Sequence, residues 1–236
     1  MPLACPSLIA AHFPDLCRAV DIYCERTSPA VDAEPVNAIT NAAFLIASWC
    51  AWRLQGKHSG PSTPGLVRAL IVLIAIVGLG SFLFHTVATR WAEWGDVVPI
   101  LLFMLLWLWL ALICFFGWPP ARTLAALSLF FAATFALEAF VPSDVLQGGA
   151  LYVPALSVLV GIGFALRRRR HPAAPGTLAA TGVFLLSFAS RTLDAPLCPI
   201  IPLGTHFLWH ILNALLLYLL ARVLILYGSA QRRAES

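Results

Sequence analysis

The sequence predicts an all-α, polytopic membrane protein folded as a seven-transmembrane helix bundle. Three observations carry that prediction. The first is composition: of 236 residues 60% are hydrophobic and only 11% charged, with a mean hydropathy of +0.86. A soluble domain carries roughly 25% charged residues. The second is that the apolar residues fall in seven stretches, each close to the ~20 residues a helix needs to cross a bilayer. The third is that lysine and arginine collect in alternate loops, as the positive-inside rule requires of a multi-pass chain.

Residues 1–35 are too polar to span, with Asp15, Asp21, Glu25, Asp32 and Glu34 among prolines and cysteines. They read as a cap on the membrane domain. The N-terminus lacks a basic segment followed by an apolar one, so no cleaved leader is expected. Seven spans are expected near 36–54, 66–87, 96–116, 121–140, 149–166, 176–193 and 203–227, making one membrane domain over 36–227. Breaks such as Gly60-Pro61-Ser62-Thr63-Pro64-Gly65 and Gly117-Trp118-Pro119-Pro120 separate them. Residues 228–236 read as a polar, disordered tail.

One set of helix ends carries Arg53, Lys57, Arg68, Arg122, the Arg167–Arg170 run, Arg222, Arg232 and Arg233; the other carries Arg18, Arg26, Arg90 and Arg191. Eleven against four places the N-terminus outside and the C-terminus in the cytosol. The Arg167–Arg170 run then reads as a topology anchor facing anionic headgroups. A net charge of +4 confined to loops excludes nucleic-acid binding as the main role. No protein partner is expected.

In that topology the end of the second span and the starts of the third and seventh share one depth. They carry His85 with Ser81, Asp96, and His206 with His210. His206 and His210 are four residues apart, on one helix face. With His85 from another helix they form a candidate open zinc site, and ionisable groups at this depth are costly enough to imply function. His12, His58 and His171 lie elsewhere in the expected topology. Ser81 is one turn before His85 on the same face, either bonded back to its own helix or able to reach the metal site. Asp96 begins the third span, as a helix cap, as a general base, or as both.

Asp21, Glu25, Glu34 and Asp32, beside Asn37 and Asn41, offer oxygen ligands for a hard cation. By themselves they read more simply as a solvated acidic loop. Cys24 and Cys198 both fall on the outer side, where an oxidising compartment allows a disulfide. Cys50 and Cys114 look like small core residues; Cys5 and Cys17 stay unassigned.

At these residues the chain resembles the alkaline ceramidases, part of a superfamily of seven-helix membrane hydrolases that includes the adiponectin-type receptors. The matching segments are Asp21-Ile-Tyr-Cys-Glu25-Arg-Thr, Glu34-Pro-Val-Asn37-Ala-Ile-Thr-Asn41, Gly80-Ser81-Phe-Leu-Phe-His85-Thr with Asp96, and His206-Phe-Leu-Trp-His210. The resemblance runs from about residue 20 to 215. It implies a zinc-dependent amidase that cleaves the N-acyl bond of ceramide, or of a related membrane N-acyl lipid, to a sphingoid base and a fatty acid. It also implies zinc on His85, His206 and His210, with Ser81 and Asp96 catalytic. Further implications are calcium on Asp21, Tyr23, Glu25, Thr27 and Glu34, and a Cys24–Cys198 bridge. The family's calcium motif reads Asp-Trp-Cys-Glu-x-Asn. Here an extra residue separates Asp21 from Cys24, Tyr23 replaces the Trp, and Thr27 stands in the Asn position. The rival reading within the same superfamily is a receptor or sensor whose zinc site is structural or only weakly hydrolytic.

Overall fold

The computed structural model describes residues 5–58, 63–142 and 145–228. The expected break at residues 60–62 and the tail from 229 lie outside them. The described chain is helical: α1 (Ser7–His12), α2 (Pro35–Thr40), α3 (Ala42–Gly56), α4 (Pro64–Val87), α5 (Arg90–Phe116), α6 (Pro120–Phe140), α7 (Val153–Arg168), α8 (Ala174–Thr192), α9 (Asp194–Leu197) and α10 (His206–Tyr227). Short 3₁₀ turns precede α7 and follow α1. Proline stands in the first turn of α2, α4, α6, α7 and α8, where its missing N–H costs nothing.

Helices lie in all seven expected spans, but among the described residues five are long and apolar enough to cross a membrane by length and composition. These are α4, α5, α6, the helix running from Ala150 to Arg168, and α10. The first expected span is divided into α2 and α3 at Asn41, and α3 alone is 15 residues long. In α8, Thr177, Thr181, Ser187, Ser190 and Arg191 dilute the apolar character. The third span also begins earlier than expected, at Arg90.

Burial shows which helix is central. In α10, 61% of the apolar window is buried inside the protein, against 17% in α6. α10 packs on α8, α3, α4, α2 and α5, whereas α6 leaves Leu124, Leu129, Phe131 and Phe135 exposed. The core joins Phe44, Leu70, Ile74, Phe103, Trp107, Phe115, Leu217 and Leu224. At the arginine-rich end, Arg122 stacks over Trp118 at 3.8 Å and Arg169 over Phe116 at 4.8 Å, tying α5, α6 and α7 together.

α4 and α5 approach closely. Only Ala88 and Thr89 separate them, Ala88 turning the chain in the left-handed region at φ 47°. Pro99 lies inside α5. Lacking an N–H, it leaves the Gly95 carbonyl without its usual donor one turn on. That carbonyl faces Gly80 of α4, where a Cβ would collide with it. Gly80 thus lets the start of α5 lie against the end of α4, which brings Asp96 to Ser81. Gly78 similarly admits Phe44 and the Asn41 carbonyl.

The N-terminal segment folds over this end of the bundle. Val20 N–H donates to the Ala88 carbonyl, and Arg90 N–H to that of Arg18. Disulfides join Cys5 to Cys17 and Cys24 to Cys198, so the bridge the resemblance implied is formed and the unassigned pair is bonded as well. Neither Cys50 nor Cys114 is in a disulfide; Cys50 is half-buried and Cys114 buried, as expected of core residues.

Two outcomes follow for stability. Gly80→Ala should lower it by about 1–3 kcal/mol, because the Gly95 backbone must move. Gly56→Ala, where nothing lies within 4 Å, should not lower it. Thermal melts of both in detergent test this; equal melting temperatures would deny the close approach. The Cys24–Cys198 bridge spans 174 residues of sequence, and a Cys24→Ser, Cys198→Ser variant should lose about 2–5 kcal/mol. An unchanged melt would show that the loop is held by its other contacts.

Candidate metal centre

His85 lies in the last turn of α4, with Ser81 one turn earlier; His206 opens α10, with His210 one turn later. The three imidazoles are 0%, 2% and 1% exposed and offer ligand atoms all within 4.8 Å of one another. Tetrahedral zinc with three imidazoles sets its nitrogens ~3.4 Å apart.

The surroundings settle which nitrogens face inward. His85 Nδ1 lies 2.6 Å from Glu34 Oε2, and His210 Nδ1 lies 2.9 Å from Thr40 Oγ1. A carboxylate is an acceptor, so His85 carries its proton on Nδ1. The Thr40 hydroxyl has the Val36 and Asn37 carbonyls to donate to, at 2.8 and 3.0 Å, and so accepts from His210. Each ring then presents an unprotonated Nε2, and the two Nε2 atoms lie 3.0 Å apart. Two lone pairs at that distance repel unless a cation sits against both. His206 Nδ1 is buried with no hydrogen-bond partner. Three neutral imidazoles held this way, each backed by an outer partner or left open, fit a transition metal such as zinc.

The outer partners come from distant segments. Glu34 is buried, accepting from His85, from Asn37 Nδ2 at 3.0 Å and from Arg26 Nε. Burial pushes its carboxyl up, but the hydrogen bonds of His85, Asn37 and Arg26 outweigh that and hold it below the ordinary carboxylate range. Asp194, also buried, fixes the other side: Oδ1 accepts the backbone N–H of Thr205 and His206 at 2.6 and 2.8 Å, and Oδ2 that of Cys24 at 3.0 Å. It thus supplies α10 with a cap from outside the helix. Gly204, at φ +70°, has no room for a Cβ beside Asp194 and Cys24.

Asp96 is hydrogen-bonded to Ser81. It is the seventh residue of α5, whose N-cap is Thr89, so the helix-cap alternative is corrected. A cavity of about 760 Å³ opens beside it, lined by Tyr23, Asp96, Arg191, Asp194 and Trp209 among others. Tyr23 stacks on His206 with centroids 3.6 Å apart and hydrogen-bonds Arg191. Burial pushes its phenol above the ordinary value, keeping it a neutral hydroxyl. Ile100, Met104, Tyr152 and Trp209 line both this cavity and a narrow apolar one deeper in the bundle. Phe103 and Trp107 line the apolar one, and Trp109 packs on the core instead.

The expected zinc residues therefore converge, as do Ser81 and Asp96. His12 and His58 bond the carbonyls of Leu8 and Leu54 at the surface, and His171 bonds Ala173 N–H. The residues expected to bind calcium are placed differently. Asp21 and Thr27 are exposed, the Tyr23 carbonyl accepts Arg26 N–H, and Glu25 accepts the Val36 and Asn37 N–H groups. Arg26, Thr40, Asp194 and Arg191 carry no motif of their own. Two signals were available: a charged residue inside a short loop next to a histidine pair, and the Thr six residues after Glu34.

Comparison with known proteins identifies the lineage. A profile of the Ceramidase family matches residues 22–236, which is nearly the whole chain. The chain belongs to the ceramidase family. No curated protein matches it. Membership in this family of lipid hydrolases fits the apolar bundle and the three-histidine group that can hold a metal ion.

Thr40→Val keeps the side-chain shape and removes the acceptor on His210. Metal affinity should fall about 10–100-fold, as for other outer-partner losses. Competition against a chromophoric chelator measures it; unchanged affinity would mean that Thr40 does not hold the tautomer.

Proposed function

We propose that the chain is a zinc-dependent intramembrane amidase that hydrolyses the N-acyl bond of ceramide, releasing a sphingoid base and a fatty acid. The observation that carries this reading is the juxtaposition of His85, His206 and His210 with the hydrogen-bonded Ser81–Asp96 pair. That group sits beside a cavity that shares the walls Ile100, Met104, Tyr152 and Trp209 with an apolar one, in a ceramidase-family bundle. His85, His206 and His210 hold the ion. When bound, zinc supplies Lewis-acid polarisation of the amide carbonyl and a water more acidic than bulk.

The chain's own residues do the rest. Asp96 takes the proton from the attacking water and returns it to the leaving nitrogen, as a general base and then a general acid. Ser81 holds the Asp96 carboxylate in orientation. Once Asp96 is protonated, the Ser81 hydroxyl can accept from it and donate to the developing oxyanion. Losing such a donor typically costs on the order of 10²–10³ in rate. The larger cavity takes the amide and headgroup at its polar groups, Asp96, Tyr23 and Arg191, and the apolar space among Phe103, Trp107 and Leu217 takes acyl chain.

We further propose that α3 and α8 complete a seven-span topology with the N-terminus outside and the C-terminus cytosolic. The arginine asymmetry supports it, and so do two disulfides on the N-terminal side, because bridges persist in oxidising compartments.

Asp96→Asn should fold normally and keep its zinc, yet lose about 10²–10⁴ in turnover. Zinc content, melting temperature and release of fatty acid from a panel of N-acyl lipids, read by mass spectrometry on one preparation, check this. Near wild-type turnover would remove Asp96 from the chemistry. A zinc-loaded wild type that turns over no N-acyl lipid would favour a structural metal site.

A further inference from the structure

Arg26 is 7% exposed although Thr27 to Asp32 beside it face water, and its guanidinium points inward. Nε donates to Glu34 Oε1, Nη1 to the carbonyls of Ser28 and Ala30 at 3.2 and 3.1 Å, and Nη2 to the carbonyl of His85 at 3.0 Å. One carboxylate and three backbone carbonyls, gathered from one loop and one helix end, are the kind of oxygens that surround a hard cation. Here a side-chain cation has them. We propose that the Arg26 guanidinium is the built-in cation of the N-terminal loop, holding Glu34 and the last turn of α4 where a bound divalent ion would otherwise be needed, and that the loop takes no calcium.

The ligand supply bears this out. Calcium needs about 6–8 oxygens at 2.3–2.6 Å. Both Glu34 oxygens are engaged, one by Arg26 and the other by His85 and Asn37. Both Glu25 oxygens are engaged by the Val36 and Asn37 N–H groups. The Tyr23 carbonyl closes a turn onto Arg26 N–H. Charge leads to the same conclusion. The buried Glu34 carboxylate is matched by one guanidinium, and a divalent ion added beside it would place excess positive charge next to the histidines. A guanidinium also stays charged at any working pH and presents its donors in a fixed fork.

The same contacts make Arg26 a positioning residue for the metal centre. It grips His85 twice: by the residue's own carbonyl, and through Glu34, whose other oxygen takes the Nδ1 proton. That fixes both the backbone and the tautomer of one ligand.

This second half rests on the proposed zinc centre; the calcium half does not. The test starts with the intact wild type, purified without added calcium and then dialysed against about 1 mM CaCl₂, a concentration at which a specific site fills and raises the melting temperature. Elemental mass spectrometry should find calcium far below one per chain, with no change in the melt. One calcium per chain with a higher melting temperature would overturn the proposal. For the positioning role, Arg26→Met should weaken zinc binding about 10–100-fold, by chelator competition. Arg26→Lys should recover only part, lacking the fork. Leu70→Ala, a core variant away from the site, should lower the melt without moving zinc affinity, which separates positioning from general destabilisation. Arg26→Met binding zinc as tightly as wild type would overturn the positioning role. If Arg26→Met does not fold, the calcium count on the wild type decides. A wild type holding neither metal would sink the zinc reading and leave the calcium half standing.

Discussion

A histidine that is to hold a metal inside an apolar bundle must have its other ring nitrogen tied down, because a buried imidazole free to change tautomer is a poor ligand. In this chain the tie is the 2.6 Å contact between His85 Nδ1 and Glu34. It brings a carboxylate from outside the spanning helices into a buried site, which is affordable only with a partner charge. Removing one member of such a pair strands the other. Arg26, Glu34 and His85 therefore stand as one unit, and the path of the N-terminal loop follows from the need to bring Glu34 there.

The bundle supports that unit from two directions. The α4–α5 turn is sharp, Gly80 has no side chain to hold the helices apart, and Pro99 leaves the Gly95 carbonyl that faces it without a helical donor. Asp96 thereby reaches Ser81, one turn from His85. On the opposite side Asp194 grips the start of α10 and the Cys24 backbone, next to the Cys24–Cys198 bridge. The three histidines are thus placed by covalent, ionic and steric constraints that all act at one end of the helices. The other end is held by apolar packing and by arginines over aromatic rings.

This division also explains where substrate space lies. The larger cavity lies between the N-terminal cap and α5, and Ile100, Met104, Tyr152 and Trp209 wall it off from the apolar cavity deeper in the bundle. Tyr152 and Trp209, which line both parts, carry Arg191 at 5.6 and 5.9 Å from their rings. A cation over aromatic faces lets the wall change from polar to apolar within one layer of side chains.

The helical class, the membrane setting and the three histidines that converge as a possible metal site were legible in the sequence. Hydropathy over twenty residues reports burial in lipid directly, and a pair of histidines four apart reports a shared helix face. Ser81 and Asp96 were legible as candidates, since their distance from His85 along the chain matches one helix turn and one tight turn. The state of the acidic loop was not legible. Glu25 and Glu34 look alike in the sequence, yet one caps α2 with both oxygens and the other turns inward to His85. Arg26, between them, reads as one more surface charge. Whether a short polar loop collects its carbonyls around water, a metal ion or its own arginine depends on how the backbone closes over the helix ends. Long-range contacts decide that, through the bridge from Cys24 to Cys198 and the strand-like pairing of Ala19 with Thr89. Local pattern specifies what repeats along a helix; which distant charge a buried carboxylate meets is a property of the assembled bundle alone.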